Sequence, residues 1–182
     1  MRTYQVVLLV HVVGAVGLVA GACFELGGLL LLRRARCVSD VRHAMAVASV
    51  ALMIDPASSL LVFGTGVVLT ATAWTWTVPW IAAALIFFVL ITLLAPSLQG
   101  RRLLAIRKML RQTPDGPIPA VLHTLIRDPI LRASVQAVPP LTLGFLLLMT
   151  LKPALLGSLG IMIVALGVGI LSSLPTQRSL AK

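Results

Sequence analysis

The chain has 182 residues and a formal net charge of +10, and 59% of its residues are hydrophobic while 11% are charged. Soluble domains carry about 25% charged residues, so this composition argues against a soluble globular domain, a disordered chain and a nucleic-acid-binding domain. The mean hydropathy is +1.05, and the apolar residues form runs long enough to cross a bilayer. We therefore predict an all-α, polytopic membrane helix bundle in contact with lipid, without a nucleic-acid partner.

The first apolar run predicts a membrane helix over residues 4–32. Such a helix is about 40 Å long and exceeds the ~30 Å hydrocarbon core, so it must tilt or project. It ends at the basic stretch Arg33-Arg34-Ala35-Arg36. The run is about twice as long as the apolar core of a signal peptide, which favours a retained helix over a cleaved signal.

The second helix is predicted over residues 44–73, with an interruption at residues 55–56. In this interpretation Asp55 is the N-cap of the later part and Pro56 is its first helical residue, near the cytoplasmic interface. An alternative interpretation starts the helix at His43 and continues it without a break. Asp55 then lies nearer the middle of the membrane.

The third helix is predicted over residues 80–98, and residues 99–133 are predicted as a basic cytoplasmic loop. Within this loop, residues 101–111 have the pattern of a short amphipathic helix that continues the third helix along the membrane surface. Its basic side chains would attract anionic lipid headgroups. The turn before the third helix carries an aromatic belt, formed by Trp74, Trp76 and Trp80.

The last apolar region carries one charge in its interior, Lys152, which Pro153 follows. A Lys-Pro pair between two apolar runs is typical of a tight reversal, with the proline opening the next helix. This pattern predicts helices over residues 134–151 and 154–174. The total is five transmembrane helices, packed as one bundle over residues 1–182.

The basic residues predict the orientation, because Lys and Arg are concentrated in cytoplasmic loops. An external amino terminus with five crossings leaves only Arg2 and Lys152 outside, so that 13 of the 15 basic residues, including Arg178 and Lys182, are inside. We therefore predict the amino terminus outside and the carboxyl terminus in the cytoplasm.

Ionisable residues at membrane depth are candidates for function, and His11 is the first of three. It could bind a haem or a metal or relay protons, or it could bond a hydroxyl or carbonyl near the headgroups. The other two histidines, His43 and His123, fall on the opposite side of the membrane, whereas Met149 falls at a compatible depth. We predict no cofactor, with haem b or copper at His11, and more weakly Met149, as the alternative.

Glu25 and Asp55 are the other two candidates. A lone carboxyl group at the depth of Glu25 must be protonated or find a hydrogen-bond donor. Glu25 is therefore either a hydrogen-bonded structural residue or part of a proton or cation site. If the second helix is continuous, the two acids could form a coupled carboxylate site.

Small residues indicate where helices approach each other closely. On the first helix, glycines recur at spacings of three, four and seven residues, and a similar group occurs on the second helix. We expect packing within the bundle, with homodimerisation as the alternative. The predicted packing residues are Gly14, Gly17, Gly21, Gly28 and Gly64.

Motifs for a nucleophile elbow, a phosphate-binding loop or a metalloprotease do not occur in the sequence, so it offers no argument for an enzyme. The leading prediction is a small non-enzymatic membrane protein that packs with itself or with other membrane subunits. The first alternative is proton- or ion-coupled transport that uses the intramembrane acids. The second is a haem- or copper-binding redox protein.

Several short motifs resemble a bacterial family of predicted integral membrane proteins of unknown function. This family is distantly similar to copper-resistance-D-like membrane proteins in having a histidine on the first helix. The resemblance implies a multi-pass protein of the bacterial inner membrane. In that family the Lys-Pro-Ala stretch lies near the carboxyl end, whereas here a fifth apolar helix follows it. The motifs are Leu9-Val10-His11-Val12-Val13-Gly14-Ala15, Gly27-Gly28, Asp55-Pro56-Ala57, Gly64-Thr65-Gly66, Trp80 and Leu151-Lys152-Pro153-Ala154.

Overall fold

The computed structural model describes residues 2–173, apart from the side chains of Arg2, Leu94, Ala95 and Ser173. Its secondary structure is helical, and α3 continues into α4 through a π-helical turn at Leu90–Leu94. The helices are α1 (Arg2–Arg34), α2 (Val38–Ala73), α3 (Pro79–Val89), α4 (Ala95–Gln112), α5 (Ala120–Ile126), α6 (Pro129–Leu151) and α7 (Leu155–Ser173).

Five stretches of helix are long and apolar enough to cross a membrane, which confirms the predicted all-helical bundle with five spans. They are Thr3–Arg34, Val38–Ala73, Pro79–Gln112, Ala120–Leu151 and Leu155–Ser172. We call the end with Trp74, Trp76 and Trp80 the tryptophan end, and the end with Arg33 and Arg34 the basic end. Three residues used in the predictions above, Leu174, Arg178 and Lys182, lie outside the described residues.

The second helix differs from its leading prediction, because α2 runs unbroken from Val38 to Ala73 with Pro56 inside it. Its amino terminus is capped much earlier, where the Asp40 carboxylate accepts hydrogen bonds from the backbone N–H groups of Arg36 (2.8 Å) and Cys37 (3.2 Å). Membrane helices tolerate an internal proline when neighbouring helices support the freed backbone groups, and α1 packs along α2. Asp55 is therefore not an N-cap but a mid-helix residue.

The segment predicted as a basic loop over residues 99–133 is mostly helical. Pro96 has no N–H for the carbonyl of Thr92, and the wider turn at Leu90–Leu94 precedes it and lets the helix continue as α4. Ile106 and Leu110 of α4 are buried in the bundle. The amphipathic segment therefore packs against its own protein rather than lying on the membrane surface.

The core consists of two clusters along the bundle axis. The one nearer the tryptophan end is built around Phe87 and Phe145, both at most 2% exposed, and the one at the basic end includes Ile106, Leu122 and Val41. In a membrane such contacts contribute through close van der Waals packing rather than through exclusion of water. In this bundle α2 packs mainly against α1, and α3 packs mainly against α6.

The ends of α6 are defined by two charged residues. At its start, the carboxylate of Asp128 accepts hydrogen bonds from the backbone N–H groups of Ile130 (2.8 Å) and Leu131 (2.9 Å) and from Arg102 (2.9 Å). At its end, Lys152 adopts the left-handed conformation with φ 47° and ψ 52°. That conformation turns the chain sharply into α7, at the position where the Lys-Pro pair predicted a reversal.

Candidate functional site

Four glycines of α1 form a seam that lies directly against α2. A Cβ atom added at Gly28 would lie 2.7 Å from the Ala48 Cβ, and one added at Gly14 would lie 2.9 Å from a Val62 methyl group. At Gly14 and Gly28 an added Cβ would also lie 3.0–3.1 Å from backbone atoms of α2, whereas at Gly17 and Gly21 it would meet side-chain oxygens. The pairs are Gly14 with Val62, Gly17 with Ser58, Gly21 with Asp55, and Gly28 with Ala48.

Gly64, the fifth residue predicted at a helix contact, is exposed and has no neighbour within 4 Å of an added Cβ. In the described part of the chain it therefore makes no packing contact with another helix. Gly66, two residues later, takes this role instead, because its added Cβ would lie 3.4 Å from the ring of His11.

The seam brings the two membrane acids together. The Asp55 carboxylate lies against Gly21, one helical turn from Glu25 on α1. Side chains lean towards the amino terminus of their own helix, and α1 and α2 are antiparallel, so Glu25 and Asp55 lean towards each other. They are close enough to interact electrostatically. We call Glu25 and Asp55 the acid pair.

Gln99 of α4 completes this polar cluster and was not among the predicted site residues. Its side chain lies beside the Glu25 carboxyl group, and the residue is only 3% exposed. Two buried atoms, Glu25 Oε2 and Gln99 Nε2, have no hydrogen-bond partner within the described chain. Both residues line a cavity of about 20 Å³, which is room for a single water molecule.

The acid pair has no cationic partner among the ion pairs that residues 2–173 form. Those pairs join Arg42 to Asp115 (3.7 Å) and Arg102 to Asp128 (2.9 Å). Two carboxylates without a counter-ion repel each other strongly in a medium of low dielectric constant. A proton or another cation that binds between them is stabilised by the same field.

His11 lies at the opposite end of the seam, between α2 and α6. Its Nδ1 is 2.9 Å from the Thr65 hydroxyl, and its Nε2 is 3.4 Å from the Met149 sulfur. The Thr65 hydroxyl also donates to the carbonyl of Leu61. A thioether sulfur cannot donate a proton, so Nε2 either donates to the Met149 sulfur or faces it with its lone pair, according to the tautomer of His11. This contact joins the two residues that were predicted as alternative metal ligands.

A cavity of about 420 Å³ opens beside His11 and extends to the tryptophan end; we call it the tryptophan-end cavity. Its walls come from α1, α2, α3 and α6. The aromatic rings of Trp74 and Trp80 meet edge to face at its mouth with their centroids 5.4 Å apart, and the Lys152 ammonium lies 4.6 Å from the Trp74 ring centroid. A cavity of this size can take a small molecule.

Comparison with protein-family models finds no match for this chain, and comparisons with curated proteins and with solved structures find none either.

Proposed function

We propose that this multi-pass membrane protein binds a cation, either a proton or a monovalent metal ion, at the acid pair and couples its passage to transport. The single observation that supports the proposal is the juxtaposition of Glu25, Asp55 and the buried amide of Gln99 within helices that are long and apolar enough to cross a membrane. Ionisable residues there are expensive, and a bundle that only packs with itself or with other subunits needs none of them.

Cavities lie on both sides of the acid pair. The tryptophan-end cavity reaches Val19, which is about 9 Å from Glu25 along the axis of α1 at 1.5 Å per residue. The small cavity beside Gln99 is lined further on by Leu32 and Met45, which lie towards the basic end. The acid pair therefore lies between the two cavities along the axis of the bundle.

Flux measurements in proteoliposomes test the proposal. An inward pH gradient is combined with a membrane potential, negative inside, that potassium and valinomycin generate. A pH-sensitive dye inside the liposomes reports proton entry, and radioactive sodium reports metal-ion entry. We expect one of the two signals to exceed that of empty liposomes. Glu25→Gln and Asp55→Asn should each reduce that signal to the level of empty liposomes, because each removes one of the paired charges.

The matched control is Asp115→Asn, which makes the same chemical change at an exposed aspartate outside the acid pair and should leave the flux unchanged. Thermal unfolding of each variant separates loss of function from loss of fold. If Glu25→Gln and Asp55→Asn remain folded and support full flux, the acid pair is structural and the proposal fails.

The contact between His11 and Met149 favours a second candidate function, binding of a soft metal ion. Imidazole nitrogen and thioether sulfur are donors that suit copper(I), and in the Nδ1–H tautomer of His11 both Nε2 and Sδ present a lone pair. Nε2 and Sδ are 3.4 Å apart, so these two donors would face one small metal ion together.

Metal analysis and an absorbance spectrum of the purified protein test this second candidate. Stoichiometric copper that is lost in both His11→Ala and Met149→Leu would support it. The control is His123→Ala, at a histidine of α5. Protein that binds no added copper(I) under reducing conditions would refute it.

A further inference from the structure

The tryptophan-end cavity is elongated, and several of its lining residues are exposed on the surface of the bundle. Its lining on α1 runs from Tyr4 to Val19, a length of about 22 Å, which exceeds the depth of one leaflet, about half of the ~30 Å hydrocarbon core. Because α2 packs on α1 while α3 packs on α6, a gap separates α2 from α3. The stacked rings of Phe63 and Phe88, with centroids 5.8 Å apart, bridge this gap part of the way down.

The walls of this cavity are almost entirely apolar, and two of their polar groups are already engaged. The Thr150 hydroxyl donates to the carbonyl of Leu146 (3.0 Å), and His11 contacts Thr65 and Met149. The interior therefore offers a guest van der Waals contacts rather than hydrogen bonds. A flexible hydrocarbon chain suits such a lining.

The mouth of the cavity is positively charged. Lys152 holds a backbone conformation that disfavours residues other than glycine, and its ammonium group lies against Trp74. All five acidic residues of the chain lie elsewhere, as Glu25, Asp40, Asp55, Asp115 and Asp128, and in the described residues Lys152 makes no ion pair. The ammonium group is therefore available to an anion at the membrane surface.

We propose that the tryptophan-end cavity is a binding site for a single-chain anionic amphiphile. The hydrocarbon chain enters between α2 and α3 and lies along α1, and the carboxylate or phosphate head pairs with Lys152. The site does not depend on cation binding at the acid pair. A fatty acid and a lysophospholipid share this chemistry, and the test below distinguishes them.

Tryptophan fluorescence reports on this site, since the three tryptophans of the chain all line the cavity. The protein is placed in phosphatidylcholine nanodiscs at alkaline pH and titrated with stearate carrying two bromine atoms, which quench tryptophan at short range. We expect saturable quenching that unlabelled stearate reverses. The brominated methyl ester, which has the same chain without the charge, should quench only in proportion to its concentration in the lipid.

Charge variants test the role of the lysine. Lys152→Gln should raise the half-saturation concentration roughly tenfold, as expected for loss of a hydrogen-bonded charge pair. Lys152→Arg should retain binding. The matched control is Lys108→Gln, which removes a lysine from α4 and should bind as the wild type does. Val12→Phe, which narrows the cavity without changing its charge, should also weaken binding.

The identity of the head group follows from a second titration with a brominated lysophosphatidylglycerol. Tighter binding of this probe than of stearate assigns a phosphate head, and the reverse order assigns a carboxylate. Either order upholds the proposal. Equal quenching by the acid and its methyl ester would overturn it, as would equal affinities of Lys152→Gln and Lys108→Gln with both variants folded.

Discussion

Replacing Gly28 with alanine tests whether the glycine seam determines the packing of α1 on α2. The new Cβ would lie 2.7 Å from the Ala48 Cβ and 3.0 Å from its Cα. Because part of the obstacle is backbone, the helices must move apart. Overpacking of this kind costs about 1–3 kcal/mol. Gly27 supplies the control, because a Cβ there meets only a Val47 methyl group at 3.9 Å.

The comparison of the two adjacent positions isolates the steric effect. Alanine gains up to about 1 kcal/mol over glycine in helix propensity, and this gain is the same in both variants, so it cancels in the difference. We expect Gly28→Ala to be less stable than Gly27→Ala by about 1–3 kcal/mol. Unfolding in mixed micelles with increasing dodecyl sulfate, followed by tryptophan fluorescence, measures this difference. Equal stabilities would refute the seam as the cause of the close approach.

Three further predictions concern the ends of the helices and the buried amide. In a Cys23→Ala background, a membrane-impermeant maleimide should label Cys37 only after the cells are permeabilised. The cysteine introduced by Thr77→Cys should be labelled in intact cells. The opposite pattern would reverse the predicted orientation. Asp128→Ala should lower the free energy of unfolding by about 1–2 kcal/mol through loss of a helix cap, whereas Asp115→Ala, whose ion pair is exposed, should lower it by less than about 1 kcal/mol; equal losses would contradict the capping role. Gln99→Met should lower the cation flux, because it removes the amide that lies beside the Glu25 carboxyl group; an unchanged flux in a folded variant would show that the amide takes no part in cation binding.

Hydropathy, together with the Lys-Pro pair that divides the last apolar region, identified the five spans, because a bilayer requires about 20 apolar residues for each crossing. Glycine spacing likewise predicted the seam on α1, since close helix approach has a local signature. The predicted interruption of the second helix at residues 55–56 was wrong, because it was based on the local sequence alone. Asp-Pro is a favourable helix start in isolation, but the partner helix supports a continuous backbone there.

The contacts that build the candidate sites could not be found from local pattern. His11 and Met149 are 138 residues apart in sequence. Their predicted depths in the membrane were similar, which allowed a contact between them but did not predict one. Gln99 lies one turn beyond Pro96, in a segment whose basic residues indicated a cytoplasmic loop. A continued helical period through Pro96 was the only signal that could have placed its amide beside Glu25.

The π-helical turn at Leu90–Leu94 determines the direction in which every side chain of α4 points. A wide turn takes up about one residue more than an α-helical turn, and one residue corresponds to about 100° of rotation around the axis at 3.6 residues per turn. Without that extra residue, Gln99 would face roughly a quarter of a circle away from Glu25, and the buried side chains of Ile106 and Leu110 would rotate with it. A single-residue deletion in this turn would therefore act on the acid pair and on the core of the basic end together, although it touches neither.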